Sequence, residues 1–590
     1  MHSKLVIYRM LHLASLVILA AMDSSSLNLL RANRKPSITV GMGHRAQERG
    51  ILRRPTSCRR RSLVSVACSS GRWSRSTSSL LLRGDSRASP MALMAHHPFS
   101  GIGIKEYLRG KNLFITGGTG FLAKVLIEKI LRSNSDVGKI YVMIKAKDIK
   151  AALKRMQNEV LDTELFKCLR EIHGNDYHSF ITTKLVPVVG DVREAGIGIS
   201  PELADEIAQE VDIIVNSSAN TTFDERFGMT SPYLGATTGV EFCAAVSTTE
   251  AFLACVNRFV GDETAYVNGQ RQGVVPEKPF RLGDTIAGEL GSSEQKKAVL
   301  DIETEIRMAF DYKRHSHSSA GFVEEMKGLG LRRAKLYGWQ DTYVLTKAMG
   351  EMGINCMRGE IPVVNIRPSI IESTLAEPFP GWIEGSSGIA ADPDGVLDVV
   401  LADMVVNAML ASMAKHGGGK AGMHVYHVTS STVNPLVFRD LVRLSYQHFT
   451  RSPFVDAARK PIPVSPPRLF DSMAQFASHV ESNTTLLSSR ARASSGDDTK
   501  LSKRASDLRG RLIQQITHLG SIYEPYTFYR SRFDSANTEA LLEEMSPDER
   551  AQFNFDVRGI DWKDYITNVH IPGLRKHVVK GRGSAVSSGL

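Results

Sequence analysis

Short runs of apolar residues recur along the chain, and each run ends in glycine or polar residues. The clearest are Leu113–Ile115, Ile140–Ile144, Leu185–Val189, Val211–Val215 and Val363–Ile366. Runs of this length, bounded by turn residues, predict buried strands. Apolar residues at helical spacing lie between several of these runs. This alternation predicts an α/β fold with a Rossmann-like, doubly wound parallel sheet.

The first apolar run leads directly into a glycine-rich turn. Residues 116–124 read TGGTGFLAK, and apolar residues then recur at helical spacing. Strand, glycine turn and helix in this order are the setting of a dinucleotide-binding loop, because glycine lets a pyrophosphate approach the backbone and the helix offers free N–H groups. The residues predicted to bind the cofactor here are Gly117, Thr119, Gly120, Phe121 and Leu122. An ordinary strand–helix turn is the alternative interpretation.

Cations follow the second apolar run, where an acidic residue would favour NAD. Lys145 and Lys147 stand at this position. Because a cation pairs with a 2′-phosphate, the sequence predicts NADP(H), with solvated surface lysines as the alternative. The carboxyl ends of later strands are expected to complete the site, with Asp191 facing the adenine ring. The residues assigned there are Asp191, Val192, Asn220 and Pro368.

A Tyr-x-x-x-Lys pair, Tyr343 and Lys347, lies downstream of the glycine loop. Residues four apart share one face of a helix. An ammonium nearby favours the phenolate and lowers the pKa of the tyrosine, which suits it to protonate a carbonyl oxygen as hydride reaches the carbon. Lys347 is also placed to hold the nicotinamide ribose. An exposed helix face is the alternative, since the pair alone is a common pattern.

Long motifs around these residues resemble the fatty acyl reductases of plants, which are extended short-chain dehydrogenases. The resemblance is carried by TGGTGFLAK, VVGDV, NSSANTTFDERF, TAYVNGQRQG, YGWQDTYVLTKAMGE and VVNIRPSIIEST, and near the C-terminus by SIYEPYTFYRSRFD and HIPGLRKHVVKGRG. It implies NADPH-dependent conversion of long-chain acyl-CoA or acyl carrier protein thioesters into primary alcohols. It also implies that Thr264 orients the substrate carbonyl. The similarity is strongest to the plastid branch associated with pollen-wall lipid and male sterility.

The segment 228–263 departs from the family pattern. The family carries Val-Ser-Thr-Ala-Tyr where this chain has GDETAY at 261–266, so Glu263 replaces the serine. Apolar residues from Cys243 to Val256 suggest a helix face, and no strand is predicted between them and Thr264. A missing central strand would leave buried backbone groups unpaired, and Glu263 would disfavour an oxyanion. The loop after Gly385 is also shorter than in the family.

These departures keep two alternative functions open. One is a catalytically impaired homologue that binds the nucleotide and serves as an interaction module. The other is an NADP-dependent aldehyde or sterol dehydrogenase on the same scaffold.

Charge is distributed unevenly along the chain. The formal net charge of the 590 residues is +11, yet residues 1–96 alone carry 16 Lys+Arg and 3 Asp+Glu, which leaves −2 for the remainder. The basic balance therefore belongs to the leader, and no nucleic acid partner is predicted. Residues 22–87 are rich in Ser and Arg and poor in acids, as in a plastid transit peptide. The apolar run Leu11–Ala21 resembles a secretory signal, which is the alternative.

We predict four parts: a leader at 1–96, an NADP(H)-binding reductase domain at 97–440, a connecting segment at 441–499 and a C-terminal helical domain at 500–590. An insertion at 282–335 is expected to be a surface helix pair or a lid over the acyl chain. An aromatic cluster at 523–533 is expected to pack in the core or to line the acyl chain. The sequence predicts no metal site and no transmembrane helix, so membrane contact would be peripheral.

Overall fold

The computed structural model describes most of the chain from residue 101 onward. The described ranges are 101–218, 251–255 (backbone only), 265–291, 299–316, 321–384, 392–419, 421–455, 459–464, 466–479, 514, 517–518 and 520–579. Several sequence predictions lie outside these ranges. They concern the leader, residues 480–499 of the connecting segment, the shortened loop after Gly385, and the residues Asn220, Glu263 and Thr264.

A seven-stranded parallel sheet forms the centre of the described part of the chain. Its strands are β1 (Leu113–Thr116), β2 (Ile140–Ile144), β3 (Leu185–Val189), β4 (Ile213–Asn216), β5 (Ala251–Cys255), β6 (Val363–Pro368) and β7 (Met423–Val428). They lie in the order β7-β6-β5-β4-β1-β2-β3, with every neighbouring pair parallel. The strand order reverses between β1 and β4, as in a doubly wound sheet. The predicted fold class is confirmed.

Helices connect and flank these strands. The longer ones in chain order are α1 (Ile104–Leu108), α2 (Phe121–Ser133), α3 (Ile149–Met156), α4 (Lys167–His173), α5 (Tyr177–Lys184), α6 (Pro201–Glu210), α7 (Ile286–Leu290), α8 (Ile302–Ser316), α9 (Phe322–Tyr337), α10 (Thr342–Met357), α11 (Ala402–Gly417), α12 (Phe438–Arg451), α13 (Ala536–Glu543) and α14 (Pro547–Gln552). From 562 to 578 the chain alternates between α and π turns. Short strands outside the main sheet are Val274–Val275, Ile370–Glu372, Val396–Leu397, Val399–Leu401, Leu436–Val437 and Arg532–Phe533.

Strand β1 shows how the sheet is buried on both faces. Leu113 and Ile115 pack on one side in the same cluster as α2 and α11, whereas Phe114 packs on the other side beside Ile207 and Ile354. All five side chains are essentially inaccessible to solvent. Alternate side chains of a strand point to opposite faces, and a parallel sheet covered by helices on both faces therefore needs continuous apolar runs. This is why the strands were visible in the sequence.

Strand β5 corrects the prediction that a central strand is missing. Its backbone pairs with β4, where Ile213 is opposite Ala251, and with β6, where Phe252 is opposite Val363. The sequence AFLAC contains no β-branched residue and follows a polar stretch, so its local pattern favoured a helix face. Pairing on both sides overrides this weak propensity, because strand preference depends strongly on the neighbouring strands.

The insertion contains the expected helix pair. Helices α8 and α9 contact each other through Glu305, whose side chain accepts hydrogen bonds from Arg333 and from the Tyr337 hydroxyl 2.7 Å away. Burial and the Glu305 hydrogen bond raise the pKa of Tyr337 to about 12, so its hydroxyl remains a donor. These polar contacts therefore hold α8 and α9 together. Whether it covers an acyl chain stays a prediction.

The C-terminal region packs directly on the reductase region. Phe533, Leu541 and Tyr565 belong to the same buried cluster as Ile115 of β1. The strand Arg532–Phe533 also pairs in parallel with Val274–Val275. Within the described residues, no helix is both long and apolar enough to cross a membrane.

Helix α14 begins with a capping box. Ser546 accepts a hydrogen bond from the backbone N–H of Glu549, and the Glu549 carboxylate accepts one from the Ser546 backbone, which forms a capping box with Pro547 as the first helical residue. The same carboxylate accepts a hydrogen bond from the backbone N–H of Gly103 at 2.7 Å. The cap thereby also fixes the start of α1.

Candidate active site

The glycine loop connects β1 to α2 and has little room for side chains. Gly117 has φ +66°, and a Cβ there would lie 2.7 Å from the carbonyl oxygen of Ser217. A Cβ on Gly118 would lie 2.1 Å from Val142 of β2. Only glycine fits both positions, which leaves an uncovered backbone where a pyrophosphate can approach. The sequence interpretation missed the role of Gly118, because its contact is with another strand.

The first turn of α2 follows this loop. Gly120 is the N-cap residue and provides no side-chain cap to the helix. The backbone N–H groups at this helix end are thus oriented as donors for an anion. Phe121 is buried here, and its ring stacks on Trp382 at a centroid distance of 5.1 Å. This stacking fixes the start of α2 against the segment after β6.

The loops after β1 and β4 meet where the strand order reverses. Thr116 donates a hydrogen bond to the Asn216 side chain at 2.7 Å. In an open parallel sheet, this crevice outside the carboxyl ends of the strands is where nucleotides bind. Pro368 is buried at the carboxyl end of β6.

Cations gather at the edge of the glycine loop. The Lys145 ammonium lies 2.9 Å from a carboxylate oxygen of Asp191, which Arg193 also contacts at 2.7 Å. Arg155 of α3 donates hydrogen bonds to the Lys145 carbonyl at 2.6 Å and to the Thr119 hydroxyl at 3.3 Å. The structure therefore brings the predicted residues Thr119, Lys145 and Asp191 together. Val192 lies three residues after the end of β3 and is half-buried.

Arg155 was missed by the sequence interpretation. Its position depends on where α3 begins, which the side chain of Asp148 sets by accepting a hydrogen bond from Ala151 at 2.7 Å. Arg155 then lies in the second turn and reaches back to the loop. The Asp148 cap was the sequence signal that could have located it.

Tyr343 and Lys347 lie on α10 and are both buried, with 3% and 2% of their surfaces exposed. The Lys347 ammonium is 5.2 Å from the centroid of the Tyr343 ring. The alternative interpretation of an exposed helix face is therefore wrong. Asp341 caps this helix by accepting a hydrogen bond from the Val344 backbone at 3.0 Å, which places Tyr343 in the first turn. The arrangement joins a phenol to a cation in a site that is largely closed to water.

A buried ion pair holds the far half of α10. Glu351 contacts Arg367 of β6 at 2.6 Å, with both side chains almost inaccessible to solvent. Arg367 also lies 3.2 Å from the ring of His427 on β7. Burial and the Arg367 charge hold the pKa of His427 well below its usual range, so this histidine is neutral. Sequence patterns do not reveal this network, because its members lie on three separate elements.

The remaining predicted catalytic residue, Thr264, lies outside the described residues, as does Asn220. Tyr266, two residues after Thr264, is buried in a short 3₁₀ turn, Ala265–Asn268. Its ring contacts Tyr526, Tyr529 and Phe533 from the predicted aromatic cluster at centroid distances of 5.1 to 5.3 Å. Among the described side chains, no group of three potential ligands is arranged to hold a metal ion.

Comparisons with known proteins find similarity to fatty acyl-CoA reductases over most of the chain. An NAD-binding family model described as male sterility protein matches residues 115–409, and a second model with the same description matches residues 501–581. A chloroplastic fatty acyl-CoA reductase 2 of Arabidopsis thaliana is 48% identical over 82% of this chain and 80% of its own length. An alcohol-forming fatty acyl-CoA reductase of Simmondsia chinensis is 34% identical over 81% of this chain and 99% of its own length.

Among solved structures, the terminal reductase domain of a myxalamid biosynthetic pathway is similar. It has a TM-score of 0.48 and 14% identity, and the match covers 79% of this chain and 91% of that chain.

Proposed function

Because the chain belongs to the fatty acyl-CoA reductase family, we propose that it reduces long-chain fatty acyl thioesters to primary alcohols with NADPH. The observation that carries this proposal is the buried Tyr343–Lys347 pair on a helix beside the sheet that holds the glycine loop. A phenol and an ammonium in this arrangement can protonate a carbonyl oxygen while hydride adds to the carbon.

Each residue has a distinct task in the proposed reaction. Two NADPH molecules, bound one after the other, would each supply one hydride, the first to the thioester carbonyl and the second to the resulting aldehyde. Thr264 orients the carbonyl oxygen, and Tyr343 gives it a proton. Departure of the thiol carrier after the first reduction leaves the aldehyde, and the second reduction yields the alcohol. Lys347 favours the phenolate of Tyr343 and holds the nicotinamide ribose.

The cofactor phosphates would be held by the remaining loops. The backbone around Gly117 and Gly120 would bind the pyrophosphate together with Thr119, Phe121 and Leu122, because a side chain is excluded at Gly117 and Gly120 begins the helix. Lys145 and Arg155 supply the cations that a 2′-phosphate requires, which supports NADPH. Asp191, Val192, Asn220 and Pro368 are assigned to the adenosine and nicotinamide ends.

The location and the acyl carrier are part of the same proposal. The leader composition and the chloroplastic relative support a plastid protein, and the male sterility description of both family models supports a role in pollen-wall lipid. Acyl-CoA and acyl carrier protein thioesters are both candidate substrates, since they share the reacting thioester.

A catalytically impaired homologue is the second candidate, and Glu263 is the observation that favours it. A carboxylate next to the reacting carbonyl would oppose the developing negative oxygen. The presence of β5 removes the reason based on a missing strand, because the central sheet is continuous.

Turnover of defined substrates tests the proposal. Purified protein is given NADPH with palmitoyl-CoA or palmitoyl carrier protein, and products are identified by gas chromatography. Formation of hexadecanol establishes the reductase. NADPH binding without any turnover, in protein shown to be folded, would favour the impaired homologue. Reduction of hexadecanal but not of either thioester would favour an aldehyde dehydrogenase on the same scaffold.

A further inference from the structure

One tyrosine of the C-terminal region contacts the cap of the catalytic helix. The hydroxyl of Tyr526 donates a hydrogen bond to the Asp341 carboxylate, which is the N-cap of α10. Tyr526 is 3% exposed, so this bond is made in the interior. A cap residue sets the position of the first helical turn, and Tyr343 is the second residue of that turn.

The ring of the same tyrosine contacts the other half of the catalytic apparatus. It packs edge-on against Tyr266 at a centroid distance of 5.3 Å and an interplanar angle of 77°. Tyr266 lies only two residues after Thr264, the residue assigned to the substrate carbonyl. Tyr526 therefore links the helix of the proton donor to the segment that follows the carbonyl-orienting residue.

Backbone hydrogen bonds join the chain after Tyr526 to the chain after Tyr266. The backbone N–H of Arg532 donates to the Gly273 carbonyl at 2.9 Å, and that of Asp534 donates to the Val275 carbonyl at 2.9 Å. By contrast, the Tyr529 hydroxyl lies 3.4 Å from the Arg271 carbonyl, which is long for a hydrogen bond between oxygens. The C-terminal strand thus runs along the chain that leads away from Tyr266.

We propose that Tyr526 is a positioning residue for the reduction. Its phenol fixes the first turn of α10, which carries Tyr343, relative to Tyr266. The expected effect of Tyr526 on turnover rests on the proposed function. Reacting groups misplaced by about 1 Å lose on the order of a hundredfold in rate, so an anchor remote from the chemistry affects turnover.

The ionisation of Asp341 provides a specific signature. Burial raises the pKa of this carboxyl to about 6, while hydrogen bonds from Tyr526 and from the backbone of Val344 and Tyr343 lower it. Removing the phenol hydroxyl takes away one of the lowering influences. The pKa of Asp341 should then rise further, and activity that needs the ionised cap should be lost at a higher pH.

The first test compares Tyr526→Phe with Tyr529→Phe, which removes a hydroxyl from the same aromatic cluster. We expect Tyr526→Phe to lower kcat for palmitoyl-CoA about tenfold and to leave the KM values for palmitoyl-CoA and NADPH within twofold. It should also move the acid limb of the pH profile of kcat to higher pH. Tyr529→Phe should stay within twofold of the unmodified protein. Equal effects of the two variants, or an unmoved acid limb, would overturn the proposal.

A second variant tests the same link in case Tyr526→Phe does not fold. Serine caps a helix as well as aspartate but is too short to meet Tyr526, so Asp341→Ser removes the link and retains the cap. We expect the same loss of kcat, without an acid limb from residue 341. Full activity in this variant would contradict the positioning role.

Amide hydrogen exchange tests the anchor without any turnover. The backbone amides of Val344 and Leu345 should exchange faster in Tyr526→Phe than in Tyr529→Phe, because the first turn of α10 has lost its anchor. If the unmodified protein reduces no thioester, the proposed function fails while this comparison still decides the role of Tyr526. Unchanged exchange would refute that role.

Discussion

Burial distinguishes Tyr343 and Lys347 from the many Tyr-x-x-x-Lys pairs that arise by chance. The two side chains are almost fully enclosed, and the lysine cation lies beside the tyrosine ring. Burying a cation is costly unless it has partners. A buried lysine beside a phenol is therefore a candidate functional site rather than a chance pattern. The chemistry assigned to the pair can be tested by removing one oxygen atom.

Replacing Tyr343 with phenylalanine should abolish turnover and leave cofactor binding intact. Loss of a general acid lowers rates by about 10² to 10⁴, and the ring that fills the site is retained. The kcat for palmitoyl-CoA and the Kd for NADPH, measured by fluorescence, separate the two effects. Tyr312→Phe, which removes a hydroxyl at the surface of the insertion, is the control. A Tyr343→Phe protein with near-normal alcohol formation would disprove the assignment.

Arg155 and Lys145 are predicted to select the phosphorylated cofactor. Arg155→Ala should raise the KM for NADPH about tenfold, and Lys145→Ala should act in the same direction, because each removes a cation from the 2′-phosphate. The KM for NADH should change by less than threefold. Lys154→Ala, an exposed lysine next to Arg155 on α3, should leave both values unchanged. Equal increases in the KM for NADPH and the KM for NADH would mean that these residues stabilise the fold and do not contact the 2′-phosphate.

The element that matters most for the cofactor is the strand–turn–helix unit of β1 and α2. Its glycines meet two requirements at once. Gly117 needs a left-handed backbone conformation, and its neighbour Gly118 must approach β2 closely. A substitution at Gly117 therefore combines a conformational cost of roughly 1 kcal/mol with a steric clash.

Gly117→Ala is expected to lose measurable NADPH binding. The added methyl would lie 2.7 Å from the Ser217 carbonyl oxygen, so the loop must shift away from the pyrophosphate. Gly359 offers a matched control, because it has φ +55° and an added methyl there would meet no atom within 4 Å. Gly359→Ala should show the conformational cost alone, as a small drop in Tm with unchanged Kd. Similar binding losses in both variants would rule out the steric explanation.

At the scale of the whole molecule, the C-terminal region is part of the reductase core. A buried polar cluster marks the contact: Ser373 hydrogen-bonds Tyr565 at 2.8 Å and His570 at 3.2 Å, and Glu372 lies 3.8 Å from His570. Burial raises the pKa of Glu372 to about 8 and lowers that of His570 to about 4. Both groups are therefore mainly neutral at pH 7.

This cluster makes folding stability depend on pH. The folded-state pKa of Glu372 lies above its ordinary value of 4.5, so its contribution to stability is full below pH 4.5 and is lost as the pH rises towards 8. Glu372→Gln should remove this loss. Relative to the unmodified protein, the variant should gain on the order of 3 kcal/mol between pH 5.5 and pH 8.

Urea unfolding at the two pH values measures the gain. Glu303→Gln, at an exposed position on α8, should give a difference that does not vary with pH. If Glu372→Gln behaves like this control, the carboxyl is not held neutral in the folded protein.

Short-range regularities in the amino-acid sequence predicted five of the seven strands of the main sheet, the glycine loop and the shared helix face of Tyr343 and Lys347. A buried parallel strand requires a continuous apolar run, the glycine loop is complete within nine residues, and Tyr343 and Lys347 share a face through the pitch of one helix. The resemblance to the family added the expected acyl thioester substrate and the proposed role of Thr264.

Contacts between distant segments, in contrast, became apparent only in the folded chain. The strand Ala251–Cys255 is defined by its two neighbours rather than by its own residues. Arg155 reaches Thr119 across 36 positions, and Tyr526 reaches Asp341 across 185. No local pattern encodes such pairs, because burial and hydrogen bonding at these sites depend on how whole elements pack.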